Sequence, residues 1–386
     1  MAEEVWMLQT KKADFKQIGA RFRIDPVTAR IIRNRGIEGE AAIDRYLNGT
    51  LDDLYDPMLL KDMERAVSIL CEAVDTGKKI RIVGDYDIDG VCSTYILLQA
   101  FERLGSDVDF EIPDRIKDGY GINESIIEQA HADGVEVILT CDNGISAFHQ
   151  VELAKKYGMM VVITDHHEVP LDGEKEKIPP ADAVIDPKQA DCPYPFPEIC
   201  GAVVAYKLVQ VLYARRGVPQ MEWLDLLEFA AIATVGDVMK LQDENRILVK
   251  YGLKKMAQTK NLGLRRLAEK NNLDLGAITA YHIGFVIGPC LNAGGRLKTA
   301  KEALALLRAQ SEEEAERLAE ELKELNDTRK DMTEQGTEAA KLQVESWYQK
   351  DKVLVVFLPE CHESLAGIIA GRLREYYQKP AIVLTR

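Results

Sequence analysis

A short aliphatic run that stops on an acid recurs along the first half of this chain, and it constrains the fold more than any other feature. Lys79–Val83 leads into Gly84-Asp85-Tyr86-Asp87-Ile88-Asp89-Gly90. Val135–Thr140 leads into Cys141-Asp142-Asn143-Gly144, and Met159–Thr164 into Asp165-His166-His167. Runs of this length, rich in Val and Ile, read as buried strands. Between them lie stretches with helical spacing. Met63, Ala66, Val67, Leu70 and Val74 precede the first strand, and Val91–Leu104, Asn123–Ala132 and Ile145–Tyr157 follow. Val108–Ile112 and Ala183–Ile185 read as further strands. Strands that alternate with helices at this spacing predict a doubly wound parallel sheet, an α/β fold. Parallel strands align their carboxyl ends, the edge where open α/β sheets hold their ligands. The acids are therefore expected to meet there.

The 386 residues are enough for two or three domains, and 46% hydrophobic with 29% charged content fits a globular protein. No apolar run reaches membrane-spanning length, and Met1-Ala2-Glu3-Glu4 lacks the basic and apolar parts of a signal peptide. Seven cysteines without a Cys-x-x-Cys pair argue against a zinc ribbon or a disulfide framework and for a reducing cytoplasm. The net charge of −14 would disfavour a polyanionic ligand if it were evenly spread. It is not. Residues 311–328 carry eight acids against Arg317 and Lys323, which reads as one solvated helix face. Residues 11–35 carry eight lysines and arginines against Asp14 and Asp25.

Residues 1–55 read as a small helical element with that basic face. The main α/β domain is expected over 56–310, with an irregular Pro-rich stretch from Leu171 to Pro197. Mostly helical segments follow at Gly201–Tyr213, Trp223–Thr234, Arg246–Ala257, Leu262–Glu269 and Ala277–Val286. A polar helix over 311–350, with a narrow seam of Ala315, Leu318, Leu322 and Leu325, is expected to link it to a second unit. That unit, 351–386, contains a strand at Val353–Leu358, a helix at Ala366–Tyr377 and a strand at Ala381–Leu384. A parallel sheet seldom leaves a strand uncovered, so apolar surface is expected around Ile382 and Leu384, and the second unit is expected to be partial.

Taken alone, Asp142-Asn143-Gly144 is a turn signal, Asp237 in Val235-Gly236-Asp237 a helix-end acid, and a His pair an ordinary solvated or capping feature. Their joint occurrence changes the reading. Several carboxylates in one crevice repel one another unless cations lie between them. Mixed carboxylate and imidazole donors suit manganese or magnesium better than calcium, with imidazole favouring manganese. Two such ions, about 3.5–4 Å apart, activate water and clamp a phosphoryl group.

The ordered set of motifs resembles the DHH phosphoesterase superfamily, named for the triplet standing here at Asp165-His166-His167. The likeness runs from about residue 60 to the end. It is carried by Gly84–Gly90, by Ile112-Pro113-Asp114-Arg115 with Gly119-Tyr120-Gly121, by Thr140–Ile145 and by the triplet. Val235-Gly236-Asp237, Gly288–Leu297 and Gly367–Leu373 extend it. The resemblance implies a DHH catalytic domain joined by the long helix to a partial DHHA1-type domain. It implies Asp85, Asp87, Asp142, His166 and Asp237 as metal ligands. Asp142, Asp165, His166 and His167 would be the catalytic group, Asp165 and His167 as close support or a second-metal and phosphate contact. Arg115, Asn292 and Arg296 would bind backbone phosphate, with His362 and Arg372 contributed by the second domain.

Within the superfamily the likeness is to the single-strand-specific exonucleases. It implies 5′-to-3′ hydrolysis of single-stranded DNA with two manganese (or magnesium) ions, a role in DNA repair and recombination, and a cytoplasmic location away from membranes. By the same resemblance the partners would be single-stranded DNA, a single-strand-binding protein and a helicase, and an OB-type barrel would follow the second domain. The competing readings are a phosphoesterase of short oligonucleotides, cyclic dinucleotides or pyrophosphate, and an inactive DHH scaffold that binds DNA or protein. Ile88 stands where the family often has Ala, and Gly236 also stands where Ala is common. Glu363-Ser364-Leu365-Ala366 departs from the usual run, and Gly371 stands where a hydroxyl residue grips phosphate.

Overall fold

The computed structural model describes residues 5–116, 119 and 121–386. Met1–Glu4 and Tyr120, both used in the sequence reading, lie outside the described residues. In the central strands of the main sheet alternate side chains enter different cores, which is what a sheet covered on both faces requires. The strands are β1 (Ile80–Val83), β2 (Val108–Glu111), β3 (Val137–Cys141) and β4 (Met160–Thr164). A small antiparallel hairpin follows, β5 (Leu171–Asp172) with β6 (Lys175–Glu176), inside the stretch expected to be irregular; then comes β7 (Ala183–Ile185).

The main sheet is all parallel, in the order β2-β1-β3-β4-β7. Ile82, Leu139, Val162 and Ile185 belong to the larger core, shared with the helices Ile88–Arg103, Gly201–Arg215 and Leu227–Gly236. Val83, Ile138, Val161, Ile163 and Val184 face the smaller one, with the helices Glu124–Ala132 and Phe148–Lys156. The chain order reverses between β1 and β3, so the loops after these two strands open a crevice at the sheet's carboxyl edge. At the opposite edge Arg81 pairs with both Asp109 and Asp133 and ties the strand starts together.

Helix boundaries differ from the periodicity in instructive places. The helix after β1 starts at Ile88, not Val91, because the Asp87 carboxylate accepts from the backbone N–H groups of Asp89 and Gly90 and caps it. The helix after β3 starts at Phe148, not Ile145, because the Ile145 N–H donates to Asp165 instead. The expected helix Trp223–Thr234 is two, Gln220–Leu224 and Leu227–Gly236. Over Ala277–Val286 there is a short turn, Ala280–His282, and a π-helical turn, Ile283–Ile287, which runs into the helix Gly288–Leu297. Pro289 accounts for the π turn: it has no N–H to give the Phe285 carbonyl and its ring crowds that oxygen.

The long helix, Glu312–Gln343, buries Leu318, Ala319 and Leu322 against the main core and Ala340 against the second unit, so one helix belongs to both. Its acidic face is not simply solvated. Glu312, Glu316 and Glu320 pair with Arg265, Arg266 and Lys270 of the helix Leu262–Lys270. The second unit pairs β8 (Leu354–Phe357) with β9 (Ala381–Leu384) in parallel and covers one face with the helix Glu363–Tyr377. Residues 15–48 form three short helices around Ile32, Ile37 and Ile43. Among the described residues, no helix is long and apolar enough to cross a membrane.

Candidate metal centre

Each acid of the crevice is delivered by a strand end or a helix end. Asp85 follows β1, Asp142 follows β3, and Asp165 follows β4; Asp87 and Asp89 open the helix Ile88–Arg103, and Asp237 closes Leu227–Gly236. The five expected ligands come together. Donor atoms of Asp85, Asp87 and Asp142 lie within 4.8 Å of one another. So do those of Asp89, His166 and Asp237, and those of Asp142, His166 and His167. His166 Nε2 lies 3.1 Å from Asp142, 3.4 Å from Asp89 and 3.9 Å from Asp237. Asp142 belongs to two of these groups, the position a bridging carboxylate needs. It adopts φ +61°, a left-handed turn that aspartate tolerates better than most residues.

The crevice holds negative charge at close quarters. Burial and the neighbouring Asp87 push the Asp85 carboxyl up to about 7. Burial with Asp89 and Asp87 does the same to Asp237, also to about 7. Asp87 and Asp142 are raised for the same reasons. No lysine or arginine forms an ion pair with Asp85, Asp87, Asp89 or Asp237 among the described residues. Asp85 Oδ1 and His166 Nδ1 are buried without a hydrogen-bond partner among the described residues. Buried carboxylates with orphaned donor atoms and an imidazole are what a pair of divalent cations would satisfy, so this donor set fits manganese or magnesium.

Asp165 has a different task from Asp142. One of its oxygens accepts from Ile145 N (2.9 Å), the other from His167 Nδ1 and His166 N (both 2.7 Å). Burial would raise its pKa, but the His167 bond and charge outweigh burial and hold the carboxyl below its usual range. Burial likewise opposes protonation of His167, yet the Asp165 bond and charge lift it to about 9. Asp165 thus orients and charges His167, while burial lowers the pKa of His166 and keeps it a neutral donor.

Glycines let the backbone close around these groups. A Cβ on Gly201 would stand 2.7 Å from the Asp142 Cβ, and one on Gly90 2.4 Å from the Asp85 carbonyl. The departures at Ile88 and Gly236 are one feature: a Cβ on Gly236 would meet Ile88 Cγ2 at 2.5 Å. A larger residue on one helix is accommodated by a smaller one on the other.

Arg115 stacks over the Tyr86 ring at 4.9 Å, and burial, with repulsion from the nearby Arg115 and Arg329, lowers the pKa of Arg296. Arg296 Nη1 also donates to the Ser364 carbonyl at 3.1 Å, across to the second unit. His362 lies at that junction, its Nδ1 2.8 Å from Ser364 Oγ, and lines a cavity of about 340 Å³ beside the long helix. Asn292 Oδ1 is buried without a hydrogen-bond partner among the described residues. Arg372 is exposed and lines a groove with Glu334, Glu338 and Glu375, and it is near enough to Arg329 that, after burial, its charge lowers the Arg329 pKa.

Three residues that the sequence reading did not assign lie in or beside this site. Asp89 accepts from Gly201 N and Ala202 N, both at 2.7 Å, while facing His166. The alternation of Asp85, Asp87 and Asp89 was its only signal. Asp186 follows β7 as the other acids follow their strands, and burial with Asp165 nearby raises it to about 7. Arg329, on the long helix, extends the arginine group, and only the folded chain brings it near Arg296.

Comparison with known proteins places this arrangement. The DHH family, N-terminal domain, matches residues 79–234. The single-stranded-DNA-specific exonuclease RecJ of Bacillus subtilis is 36% identical over 380 residues, 98% of this chain and 47% of that protein. The chain therefore spans about half the length of this curated relative. A crystal structure of exonuclease RecJ bound to manganese superposes with a TM-score of 0.74 at 33% identity, over 84% of this chain and 80% of that one. RecJ from Thermus thermophilus in complex with Mn2+ gives 0.80 at 30% identity, over 96% and 52%.

Proposed function

Because the chain belongs to the DHH family, on its RecJ branch, we propose that it hydrolyses phosphodiester bonds of single-stranded DNA, removing nucleotides from the 5′ end. The observation that carries this reading is the convergence of three donor groups, two of carboxylates with imidazole and one of carboxylates alone, on Asp142 and His166 beside a cluster of arginines. When bound, two manganese or magnesium ions would supply Lewis-acid activation of water and charge neutralisation at the phosphoryl oxygens. Asp85, Asp87, Asp142, His166 and Asp237 would hold them, with Asp89 completing the second group. His167, kept protonated by Asp165, would donate from Nε2 to a phosphate oxygen. Arg115 and Arg296 would grip the backbone next to the cleaved bond, and His362 would approach from the second unit. Arg372 would act farther out.

The same reading extends to the cell. An enzyme restricted to single strands depends on a helicase to open duplex, and a single-strand-binding protein would present the product. Seven free cysteines fit the reducing cytoplasm where repair and recombination take place. The test is incubation with manganese and 5′- or 3′-labelled single strands, against duplex and a cyclic dinucleotide. Release of 5′-labelled mononucleotide from single strands alone is the expected result. Preference for the cyclic dinucleotide would establish the small-substrate reading instead.

A further inference from the structure

The stretch that runs from Ala280 to Leu297 carries more than the amide and guanidinium already placed in the phosphate grip. Tyr281 and Phe285 stand on it 63% and 68% exposed, their rings stacked at 4.7 Å and 27°. Two large aromatics that cover one another in water, not in a core, form a preset π surface. Their backbone is firmly seated. Ile283, Ile287, Cys290 and Leu291 are buried beneath them, Gly284 abuts Val235, and Gly288 abuts Ile88. Val235 is two residues from Asp237, and Ile88 lies between Asp87 and Asp89, so the segment is anchored to the metal centre at both contacts.

The register along this segment is the second observation. Asn292 and Arg296 follow Phe285 by seven and eleven positions, which returns both to the same face of a helix. The exposure pattern agrees: Tyr281 and Phe285 are exposed, Pro289, Asn292 and Arg296 half-buried, and the intervening Ile283, Ile287, Cys290 and Leu291 buried. One stripe thus leads from a stacked aromatic pair to an unpartnered amide oxygen and a guanidinium, over roughly 16 Å of axis. Tyr281 and Phe285 are four positions apart, the spacing that brings side chains together on one helix face, and Phe285 lies within the π turn Ile283–Ile287. An apolar protein partner would need only the rings. A flat π surface in line with phosphate donors is the complement of a base joined to its phosphates.

We infer that Tyr281 and Phe285 form a stacking platform for a nucleobase of the single strand, about three to five nucleotides from the cleaved bond. The inference rests on the single-strand reading above and adds to it a base contact on this chain's own helical segment. Stacking is tolerant of sequence, because every base has a π face.

The full chain is compared with Tyr281→Ala, Phe285→Ala and Phe285→Trp, using fluorescein-labelled oligothymidylates and a dinucleotide. Phe285→Ala should weaken binding of the long oligomer about tenfold and raise its KM with kcat retained. Phe285→Trp should restore both. The dinucleotide, too short to reach the rings, should be cut alike by all the proteins. If the unaltered chain degrades single strands and the alanine variants bind and cut long oligomers as well as it does, the platform is wrong and the exonuclease reading stands. If the unaltered chain neither binds nor cuts single strands, both fall together. A loss in Phe285→Ala that extends to the dinucleotide and to the melting temperature would mark a folding role and overturn the platform. Equal loss in Phe285→Trp would show that something other than ring stacking is involved and overturn it too.

Discussion

The two parallel sheets of this chain are built from similar strands and held very differently. In the main sheet Ile82, Leu139, Val162 and Val184 are buried on one face or the other, and every strand end that carries an acid is fixed by its neighbours. In the second sheet Leu354 and Val356 are buried, but Val355, Phe357, Ile382 and Leu384 are between 44% and 49% exposed. The difference teaches where this molecule can afford electrostatic stress. Carboxylates that repel one another need a scaffold that cannot yield, and they sit on the sheet covered on both faces. On the second unit His362 stands at the start of the helix Glu363–Tyr377 and Arg372 within it, on an element that leaves one face of its sheet open.

The sharpest way to break this contrast is to remove one charge from each unit. Asp142→Asn keeps the volume and removes the charge that two of the donor groups share. Turnover with manganese should fall at least about a thousandfold, and the metal-free protein should melt no lower than before, because like-charge repulsion is relieved. Arg372→Ala should cost no more than about tenfold, seen in KM. Comparable losses from the two substitutions would show that the second unit shares the chemistry.

A smaller effect separates the packing of the two units. Gly236→Ala places a methyl 2.5 Å from Ile88 Cγ2 and should cost about 1–3 kcal/mol in urea unfolding. Ile88→Ala opens a cavity and should cost about 2–5 kcal/mol. The double variant should lose clearly less than the sum, since each change makes room for the other. Gly371→Ala, by contrast, meets nothing within 4 Å in the helix of the second unit and should stabilise by up to about 1 kcal/mol. Additive losses at 88 and 236 would dissolve the pairing of the two departures.

That pairing also shows what the sequence could and could not convey. The parallel sheet and its acid-bearing edge were legible because period-2 burial and strand-end acids are local signals: Asp85, Asp142 and Asp165 could be placed before any coordinates. Ile88 and Gly236 read as two unrelated departures, since their contact joins helices far apart in sequence. Asp89 was passed over for the same reason; its partners Gly201 and Ala202 are distant in the chain. Asp186 had a local signal, an acid after a short strand, that went unused. The helix start at Ile88 was mistaken because Asp87 is both an expected ligand and the cap. Arg372 was grouped with Arg296 by resemblance alone; what lies between them in the fold is Arg329, near enough to act on Arg296 and to feel Arg372, and its place on the long helix gave no local signal.

Proton linkage gives a milder test. Asp85 and Asp237 have ordinary values of 3.8 and folded values of about 7. Between these limits the folded chain holds protons that the unfolded chain has released, so stability of the metal-free protein falls as pH rises from 3.8 to about 7. Added manganese should remove that fall, because the cation takes the place of the protons and binds better as they leave. Melting curves at pH 5 and pH 7, with and without manganese, read this directly. Hydrogen-exchange protection, after correction for the intrinsic pH dependence of amide exchange, should fall with pH at β3 and β4 and stay level at β8. A metal-free melting temperature that is flat or rises over this range would mean that the acids are not held as close as described.

The smallest expected effect concerns the open face of the second sheet. Ile382 and Leu384 are half-exposed, alternate with the more buried Ala381 and Val383, and lie beside Val355 and Phe357 in the parallel register. A polar side chain there gives up little buried area, so Ile382→Lys or Leu384→Thr should shift stability by no more than about 0.5 kcal/mol. It should also reduce self-association, since a row of apolar side chains on a short open sheet invites pairing with another copy. The matched change in the main sheet, Val162→Thr, puts a hydroxyl among fully buried neighbours and should cost about 1–3 kcal/mol. Urea titrations of the single variants, with sedimentation at two protein concentrations, measure both quantities. Should Leu384→Thr cost as much as Val162→Thr, the exposed face would have to be covered in solution, and the contrast between a closed sheet that bears charge and an open one that does not would be lost.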